Sequence, residues 1–408
     1  MRTVTPMQIK FSPPDISERE IEEVANALRS GWITTGPRVK RLEETVANYV
    51  GAAKCVCLNS QTACAEMALR LLGIGEGDEV ITSAYTYTAS ASVVCHVGAK
   101  PVLIDTQKDS LEMDYEALER AITPRTKAVI PVDLGGIPCD YDTIFQIVER
   151  KKSMFAANND IQKAIGRIVV LADTAHSFGA ERKGKKTGSI ADFSAFSFHA
   201  VKNFTTGEGG ALTWRHIDGV DDQEIYRRLQ LLSLHGQNKD ALAKMQLGAW
   251  EYDIIGTWYK CNMTDVAAAM GLAQFERYPQ MLCRRKEIVK LYDASFVPLG
   301  IKVLPHYTSE HTSSGHLYIA RVPHITETRR NEIIAQMAQK GIACNVHYKP
   351  LPMHTAYKRL GYSIDAFPNA YANYANAVSL PLHTCLTDEE ANYVAGNFAR
   401  IAGDASIC

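Results

Sequence analysis

The residues most suggestive of chemistry surround a single lysine, Lys202. It lies in the segment FSAFSFHAVKNFTTGEGGALTW, where an alternating aromatic and small run, typical of a strand, ends just before the lysine. A lysine in this position commonly buries its stem and keeps its ammonium group in water. A partly desolvated amine instead has a lowered pKa and can attack carbonyl carbons. The following glycines, Gly207, Gly209 and Gly210, would allow backbone turns that other residues resist.

Two further polar segments also follow apolar strands. In LNSQTACA, Asn59 to Ala63 open a helix. A helix start with free N–H groups and hydroxyls can bind phosphate, although serine and threonine are also common as plain helix caps. In VVLADTAH, Asp173 ends a buried apolar strand, which is costly unless the carboxylate meets a cation. A helix cap or a structural ion pair would also explain this aspartate.

The elements that must position these segments alternate along the chain. Short apolar strands such as KCVCL, DEVITS and RIVVLAD are separated by amphipathic helices, up to the strand GGALTW. This order predicts an α/β fold with a mainly parallel, seven-stranded sheet between layers of helices. Ligands bind such sheets at the carboxyl ends of the strands, so the three polar segments are expected to meet there.

The last third of the chain has a different pattern. One or two long helices follow residue 264, and short strands mixed with helices follow Pro298. We predict a large domain over residues 1–290, including an N-terminal helical segment, and a smaller C-terminal α+β domain over residues 291–408.

A helix near the N-terminus has clear start and stop signals. Ser17 and Glu20 have the spacing of a capping box, and Gly31 follows the expected end. Ile21, Val24, Ala25 and Leu28 fall on one face of this helix.

The composition excludes several classes of protein. The 408 residues carry a net charge of -1, with 46% apolar and 22% charged residues, which is ordinary for a soluble globular protein and gives no sign of nucleic-acid binding. The ten cysteines include no C-x-x-C pair, so we expect no metal site, and no apolar run reaches the roughly 18 residues of a membrane helix. The N-terminal residues lack the apolar core of a signal peptide, and a reducing cytoplasm is the expected location.

Together, the three polar segments match the needs of one cofactor. A pyridoxal phosphate enzyme requires a lysine for the Schiff base, an aspartate for the pyridinium nitrogen and a helix start with hydroxyls for the phosphate. The chain has no G-x-G-x-x-G and no G-x-x-x-x-G-K-[ST] motif, which disfavours dinucleotide and P-loop chemistry.

In its sequence motifs the chain resembles the DegT/DnrJ/StrS family of sugar-nucleotide aminotransferases. The resemblance covers nearly the whole sequence, through SGWITTGPRVKRLEE, LNSQTACAEMALRLLGIGEGDEVI, DTAHSFGA, FSFHAVKNFTTGEGGAL, YKCNMTDVAAAMGLAQ and GIACNVHYKPL. It implies fold type I of the pyridoxal phosphate-dependent transferases. Within the family, the sequence is most similar to enzymes that aminate C4 of a 4-keto sugar nucleotide.

The resemblance assigns residues around the cofactor ring. Lys202 matches the lysine that bonds to the cofactor, and Asp173 matches the partner of the pyridine nitrogen. His176 occupies the position that contacts the phenolic oxygen. Tyr87 matches the aromatic residue that stacks on the ring.

It also assigns residues around the phosphate and the substrate. Thr62, Ala63 and Ser197 match the phosphate site, and Asn262 matches an asparagine that reaches the phosphate from the other subunit. This implies a homodimer with shared active sites. The positions expected near the sugar or its diphosphate are Thr34, Thr35, His347, Tyr348 and Lys349.

The implied reaction is transamination. L-Glutamate would give its amino group to pyridoxal phosphate, and the resulting pyridoxamine phosphate would aminate a UDP- or dTDP-linked 4-keto-6-deoxy sugar or 4-keto-pentose for a cell-surface polysaccharide. The alternatives are amination of a C3-keto sugar or a cyclitol, and a non-catalytic regulator that binds pyridoxal phosphate or a sugar nucleotide. A related sugar dehydratase is disfavoured because such enzymes have histidine in place of Lys202.

Two departures from the family and one unassigned residue stand out. Residues 150–167 form a longer connection than the family pattern has, and we interpret them as a surface elaboration or an interface contact. Thr174 replaces a smaller residue. His199, beside the lysine, has no assigned role.

Overall fold

The computed structural model describes residues 7–238 and 251–403. In chain order its strands are β1 (Lys54–Leu58), β2 (Glu79–Ser83), β3 (Lys100–Ile104), β4 (Thr126–Ile130), β5 (Val169–Asp173), β6 (Glu181–Arg182), β7 (Lys185–Lys186), β8 (Phe193–Ser197), β9 (Gly210–Trp214), β10 (His311–Thr312), β11 (Tyr318–Arg321) and β12 (Ala377–Leu380). Its α-helices are α1 (Glu18–Arg29), α2 (Pro37–Val50), α3 (Gln61–Leu71), α4 (Ala89–His96), α5 (Tyr115–Ala121), α6 (Tyr141–Arg150), α7 (Asp160–Ile165), α8 (Asp222–Ser233), α9 (Asp265–Phe296), α10 (Glu327–Gln339), α11 (Thr355–Arg359), α12 (Pro368–Ala375) and α13 (Asp388–Gly403).

The main sheet has seven strands in the order β1-β9-β8-β5-β4-β2-β3. The strands from β8 to β3 are parallel to one another, while β9 is antiparallel to both of its neighbours. The predicted seven-stranded, mainly parallel sheet is therefore confirmed.

Both faces of the sheet are covered by helices. Along β5, Val169 and Leu171 pack into the cluster on the side of α3, whereas Val170 and Ala172 pack into the cluster on the side of α6. Near β1 and β8, α2 and α9 cover the second face. Burial on both sides explains why β5 is a continuous apolar run up to Asp173 rather than an alternating one.

The parallel arrangement brings the polar segments to one edge of the sheet. β5 and β8 are direct neighbours, with Asp173 paired opposite Ala195, so the residues that follow the two strands leave the sheet side by side. β2 and β4 run in the same direction as β5. The loops after all four strands therefore surround one region, into which the start of α3 also points.

The C-terminal part of the chain forms a second apolar cluster. β11 and β12 pair as an antiparallel sheet, and α10, α13 and the end of α9 pack against it. α9 runs without interruption from Asp265 to Phe296, so it joins the cluster around β1 and β8 to the C-terminal cluster. The division at residue 290 remains a prediction.

The segment 150–167 is more than a surface elaboration. Ile161 and Gln162 of α7 are buried, and the side-chain amide of Gln162 donates to the carbonyl of Leu72, with Nε2 2.8 Å from the oxygen. The amide of Asn159 likewise donates to the carbonyl of Leu71 at 2.8 Å. These bonds satisfy carbonyls at the end of α3 that have no partner within that helix. The segment therefore braces the helix whose start lies at the sheet edge.

The apolar face of α1 is partly exposed within the protomer. The capping box forms, but Ile21 and Leu28 are 53% and 56% exposed in the protomer. The helix side facing α9 is instead built around the buried Glu20, whose carboxylate accepts a hydrogen bond from Arg277 at 2.7 Å. Helical periodicity identifies an apolar stripe, but it does not show that the stripe is covered by the same chain.

No helix in residues 7–238 and 251–403 is both long enough and apolar enough to cross a membrane.

Candidate active site

A cavity of about 370 Å³ opens at the carboxyl ends of β5 and β8 and reaches the first turn of α3. Eight of the predicted site residues line it: Thr62, Tyr87, Asp173, His176, Ser197, Lys202, His347 and Tyr348. The strand-end argument thus leads to the same place as the family resemblance. Ala63, Thr34, Thr35, Asn262 and Lys349 do not line this cavity.

Lys202 lies in the turn that follows β8. Its backbone N–H donates to the carbonyl of His199 at 2.9 Å, and the chain then turns back so that the N–H of Thr206 donates to Phe198 at 2.9 Å. Burial lowers the pKa of the Lys202 amine to about 8, against the opposing influence of Asp173. At neutral pH a useful fraction of this amine is unprotonated, as a nucleophile or a general base requires.

Asp173 ends β5 and is buried. Ser90 Oγ donates to one carboxylate oxygen at 2.6 Å, and the N–H of Ala175 donates to the other at 3.2 Å. Burial raises the pKa of Asp173, while these two donors and the Lys202 amine act in the opposite direction. Ser90 was not predicted, because a serine inside a helix gives no sequence signal of this contact.

His176 is held as a neutral ring. Its Nδ1 accepts the N–H of Gly135 at 3.2 Å, which places the ring proton on Nε2. Nε2 lies 3.2 Å from the hydroxyl of Tyr348. Burial, followed by the charges of Lys202 and His347, lowers the pKa of His176 well below the usual value. The ring therefore presents a fixed N–H donor to the cavity.

A second histidine, His316, packs against the ring of His176. The rings of His316 and His176 lie 4.3 Å apart between centroids, and Nδ1 of His316 lies 2.9 Å from Oδ1 of Asn203. Asn203 in turn donates to the carbonyl of Ser314 at 2.8 Å. Sequence reasoning missed His316, because it belongs to the C-terminal region and meets the site only in the folded chain.

Aromatic side chains form one wall of the cavity. Tyr87 is 60% exposed, and its ring lies 5.9 Å from that of Tyr348. An exposed tyrosine in the wall of a cavity offers a flat surface for a bound ring. His347 is fixed by Ser379, with 2.9 Å between Nδ1 and Oγ, and burial followed by the Lys202 charge lowers its pKa to about 4.

The start of α3 forms the opposite corner. Ser60 caps the helix by accepting the N–H of Ala63 at 3.1 Å, so that N–H is already engaged. The N–H groups of Gln61 and Thr62 have no acceptor within the helix. Gly210 lies directly beneath, where a Cβ would come within 2.5 Å of the backbone N of Gln61. Glycine is therefore required for β9 to approach the helix start this closely.

His199 and Glu208 lie at the mouth of the cavity. His199 Nε2 is 3.6 Å from a carboxylate oxygen of Glu208, and both side chains are substantially exposed. Neither residue was assigned from the sequence.

The predicted residues away from the cavity include a separate cluster. The amide of Asn262 donates to the hydroxyl of Thr35, which donates to the carbonyl of Met263 at 2.6 Å. The carbonyl of Thr34 accepts the N–H of Asp265 at 2.9 Å. The loop containing the two threonines and the start of α9 therefore form one unit outside this protomer's own cavity.

These side chains fit pyridoxal phosphate. Lys202 supplies an amine of lowered pKa, and the buried Asp173 supplies a carboxylate for a pyridinium nitrogen. The corner at the start of α3 combines the backbone N–H groups of Gln61 and Thr62, which have no acceptor within the helix, with the Thr62 side chain. This donor set suits an anionic phosphate.

Comparison with known proteins identifies the family. The model of the DegT/DnrJ/EryC1/StrS aminotransferase family matches residues 14–399. The chain belongs to this family, and its fold matches that of solved members. The prediction of family and fold class is confirmed.

Three relatives illustrate the similarity. One is Spr1654 from Streptococcus pneumoniae, a candidate sugar aminotransferase solved in its pyridoxamine phosphate form. It is 56% identical to this chain with a TM-score of 0.95, and the match covers 97% of this chain and 100% of that one. SpsC of Bacillus subtilis, a spore coat polysaccharide biosynthesis protein, is 38% identical over 95% of each chain. PseC of Helicobacter pylori, an aminotransferase of pseudoaminic acid biosynthesis, is 25% identical with a TM-score of 0.85, over 98% of this chain and 100% of that one.

Proposed function

We propose that this protein transfers the amino group of L-glutamate to C4 of a nucleotide-linked 4-keto sugar, for the synthesis of a cell-surface polysaccharide. The observation that carries the proposal is the placement of Lys202 and Asp173 in one cavity beside the start of α3, in a chain of this aminotransferase family.

The enzyme class and the cofactor are those predicted. The protein is a pyridoxal phosphate-dependent transaminase. Spr1654, 54–56% identical, is described in pyridoxal phosphate and pyridoxamine phosphate forms. When bound, the cofactor carries the amino group between donor and acceptor and stabilises the negative charge that develops at the reacting carbon.

The protein's own residues then have distinct tasks. Lys202 Nζ would hold the cofactor covalently and, when free, would act as the general base and acid that moves the proton. The Asp173 carboxylate, oriented by Ser90, would stabilise a proton on the ring nitrogen of the cofactor. The ring of His176, with its proton on Nε2, would be available to the phenolic oxygen of the cofactor, and the exposed face of Tyr87 would cover the cofactor ring.

The sugar substrate is supported by the relatives. Spr1654 is described as a candidate sugar aminotransferase, SpsC as a spore coat polysaccharide biosynthesis protein, and PseC as an aminotransferase in pseudoaminic acid biosynthesis. We place His347, Tyr348, Lys349, Thr34 and Thr35 near the sugar or its diphosphate. A UDP- or dTDP-linked 4-keto-6-deoxy sugar or 4-keto-pentose is the proposed acceptor.

A homodimer with shared active sites is part of the proposal. Asn262 and Thr35 form a unit outside their own cavity, which suits a contribution to a neighbouring site. Large apolar side chains are exposed on α1 and between residues 252 and 259, including Ile21, Leu28 and Trp258. A second copy of the chain would cover such surfaces.

A cytoplasmic location also remains a proposal. All nine cysteines among the described residues are free thiols, and free thiols are usual in a reducing compartment.

The test is an acceptor comparison with product analysis. Protein converted to its amine form is mixed with UDP- and dTDP-linked 4-keto sugars, and with 3-keto sugars as matched controls. We expect 4-amino products, assigned by NMR, and no product from the Lys202→Ala variant. Amination of only the 3-keto sugars would refute the C4 assignment, and an inert but cofactor-bound protein would favour a binding role.

A further inference from the structure

The turn between β10 and β11 is bonded to the residues that hold His176. The N–H of Ser314 donates to the carbonyl of Gly136 at 3.0 Å. The N–H of His316 donates to the carbonyl of Gly135 at 3.1 Å. Ser314 Oγ also donates to the carbonyl of His176 at 2.5 Å. The C-terminal part of the chain therefore contacts both His176 and the loop whose N–H group orients its ring.

The ring of His316 has a defined hydrogen bond of its own. Its Nδ1 lies 2.9 Å from Oδ1 of Asn203, whose amide nitrogen donates to the carbonyl of Ser314 at 2.8 Å. Because Oδ1 can only accept, Nδ1 of His316 carries a proton. Burial lowers the pKa of His316 well below its usual value, so the ring is neutral. Asn203 directly follows Lys202, and this bond thus anchors the ring to the turn that carries the lysine.

The two histidine rings are in contact. Their centroids lie 4.3 Å apart, their planes are inclined by 40°, and both side chains are buried. His176 would need free space beside its ring to rotate away from the N–H of Gly135. His316 occupies space on one side, and a close-packed interior leaves little elsewhere.

A space-filling role alone does not explain an imidazole at position 316. Burying a polar ring is unfavourable unless its N–H finds an acceptor, whereas an apolar ring would fill a similar volume without this requirement. The acceptor here belongs to the residue next to Lys202.

We propose that His316 is a positioning residue, whose ring, anchored through Nδ1 to Asn203, holds His176 in the orientation that keeps the proton of His176 on Nε2. The inference rests on the proposed contact between His176 and the phenolic oxygen of the cofactor, and deepens it. His316 does not line the cavity, so it acts through His176 and not on the cofactor itself.

The consequence can be read from the visible band of the holoenzyme. A hydrogen-bond donor at the phenolic oxygen stabilises negative charge there, and this charge is largest when the lysine-bound cofactor has lost the proton at its nitrogen link. Loss of the donor should therefore raise the pKa of that link. The midpoint pH of the change in the visible band measures this pKa.

His316→Asn is the main variant, because its amide keeps a donor near the position of Nδ1 but removes the ring from His176. We expect the midpoint pH to rise by roughly 0.5 to 1 unit, part of the effect of losing a hydrogen bond to a charged group. His316→Phe, which keeps a ring but loses the anchor to Asn203, should also raise it and provides a second variant. In a His176→Phe background, either substitution should add less than about 0.2 unit.

His306→Asn is the matched control. His306 is also buried, and its Nδ1 lies 2.9 Å from Oγ of Ser313, in the same turn as His316. Its ring neighbours are Tyr307 and Tyr318 rather than His176. This variant should shift the midpoint by less than about 0.2 unit.

The apoprotein gives a second readout that needs no cofactor. Heteronuclear NMR of the full-length chain with isotope-labelled histidine distinguishes the two neutral forms of each ring, and the His176 signals are those lost in His176→Phe. We expect a single form protonated at Nε2 in the wild type and a mixture of both forms in the two His316 variants.

An unchanged His176 proton position in both His316 variants would overturn the inference. An equal midpoint shift in the His176→Phe background would also overturn it, because the effect would then not pass through His176. A changed proton position with an unchanged midpoint would support the positioning role and refute the contact of His176 with the cofactor. A wild-type protein with no visible band would refute the cofactor assignment, and the NMR result alone would then decide the inference.

Discussion

Replacing Lys202 with methionine should make the apoprotein more stable at neutral pH. The substitution keeps the length and apolar stem of the side chain but removes the amine. In the folded protein, burial lowers the pKa of that amine from 10.5 to about 8. The charged amine is thus less favourable in the cavity than in the unfolded chain. This difference lowers the free energy of unfolding.

The size and pH dependence of the effect follow from the shift. Below the folded pKa the whole penalty is present, and it disappears as the pH rises above the unfolded value of 10.5. The full shift corresponds to about 3 kcal/mol. Because Lys202 also faces the cavity, where water restores part of the amine's hydration, we expect Lys202→Met to gain about 1–3 kcal/mol at pH 7 and below about 1 kcal/mol at pH 10.

Urea unfolding of the two apo forms at pH 7 and pH 10 measures this difference. Lys163→Met, at an exposed position on α7, serves as the control and should change stability by less than about 0.5 kcal/mol. A variant no more stable than wild type at pH 7, or one whose gain is equal at both pH values, would refute the claim that the Lys202 amine is desolvated.

Three other perturbations test the surroundings of the site. Ser90→Ala removes the hydroxyl that donates to Asp173, and this loss should raise the pKa of the aspartate further. The acid limb of the pH profile for the donor half-reaction should therefore move to higher pH. An unmoved limb would exclude a role of Ser90 in setting the charge of Asp173. A 1:1 mixture of Lys202→Ala and Asn262→Ala subunits that reassort at random should recover about a quarter of wild-type activity, because half of the dimers are mixed and each of these has one intact site out of two; no recovery would contradict shared sites. Gly136→Ala should destabilise the protein by about 2–4 kcal/mol in thermal or urea unfolding, because Gly136 has φ +96° and an added Cβ would lie 2.2 Å from Ser314 Oγ; wild-type stability would show that the loop relaxes.

The sequence was sufficient to predict that Lys202 and Asp173 lie close together in the folded chain. Lys202 and Asp173 each follow an apolar strand, and parallel strands bring their carboxyl ends to one edge, so physics alone places these side chains together. His347 and Tyr348 were placed only by family resemblance, since nothing in their spacing links them to the sheet.

Other contacts depend on the folded chain. Ser90 has a sequence context that plain helical residues share, and only the folded chain shows its hydrogen bond to Asp173. His316 reaches His176 through the packing of the C-terminal region. The apolar stripe on α1 was found correctly, but its exposure shows that periodicity cannot say which chain covers it.

The central claim is that the protein carries an amino group from L-glutamate to a 4-keto sugar nucleotide. Its most direct test is the absorption spectrum of the cofactor-loaded protein, recorded after L-glutamate is added and again after a UDP- or dTDP-linked 4-keto sugar is added. We predict that the visible band of lysine-bound pyridoxal phosphate gives way to the near-ultraviolet band of pyridoxamine phosphate, and that the keto sugar restores the visible band. A visible band that L-glutamate does not change, or a near-ultraviolet form that no 4-keto sugar nucleotide reverses, would contradict the account.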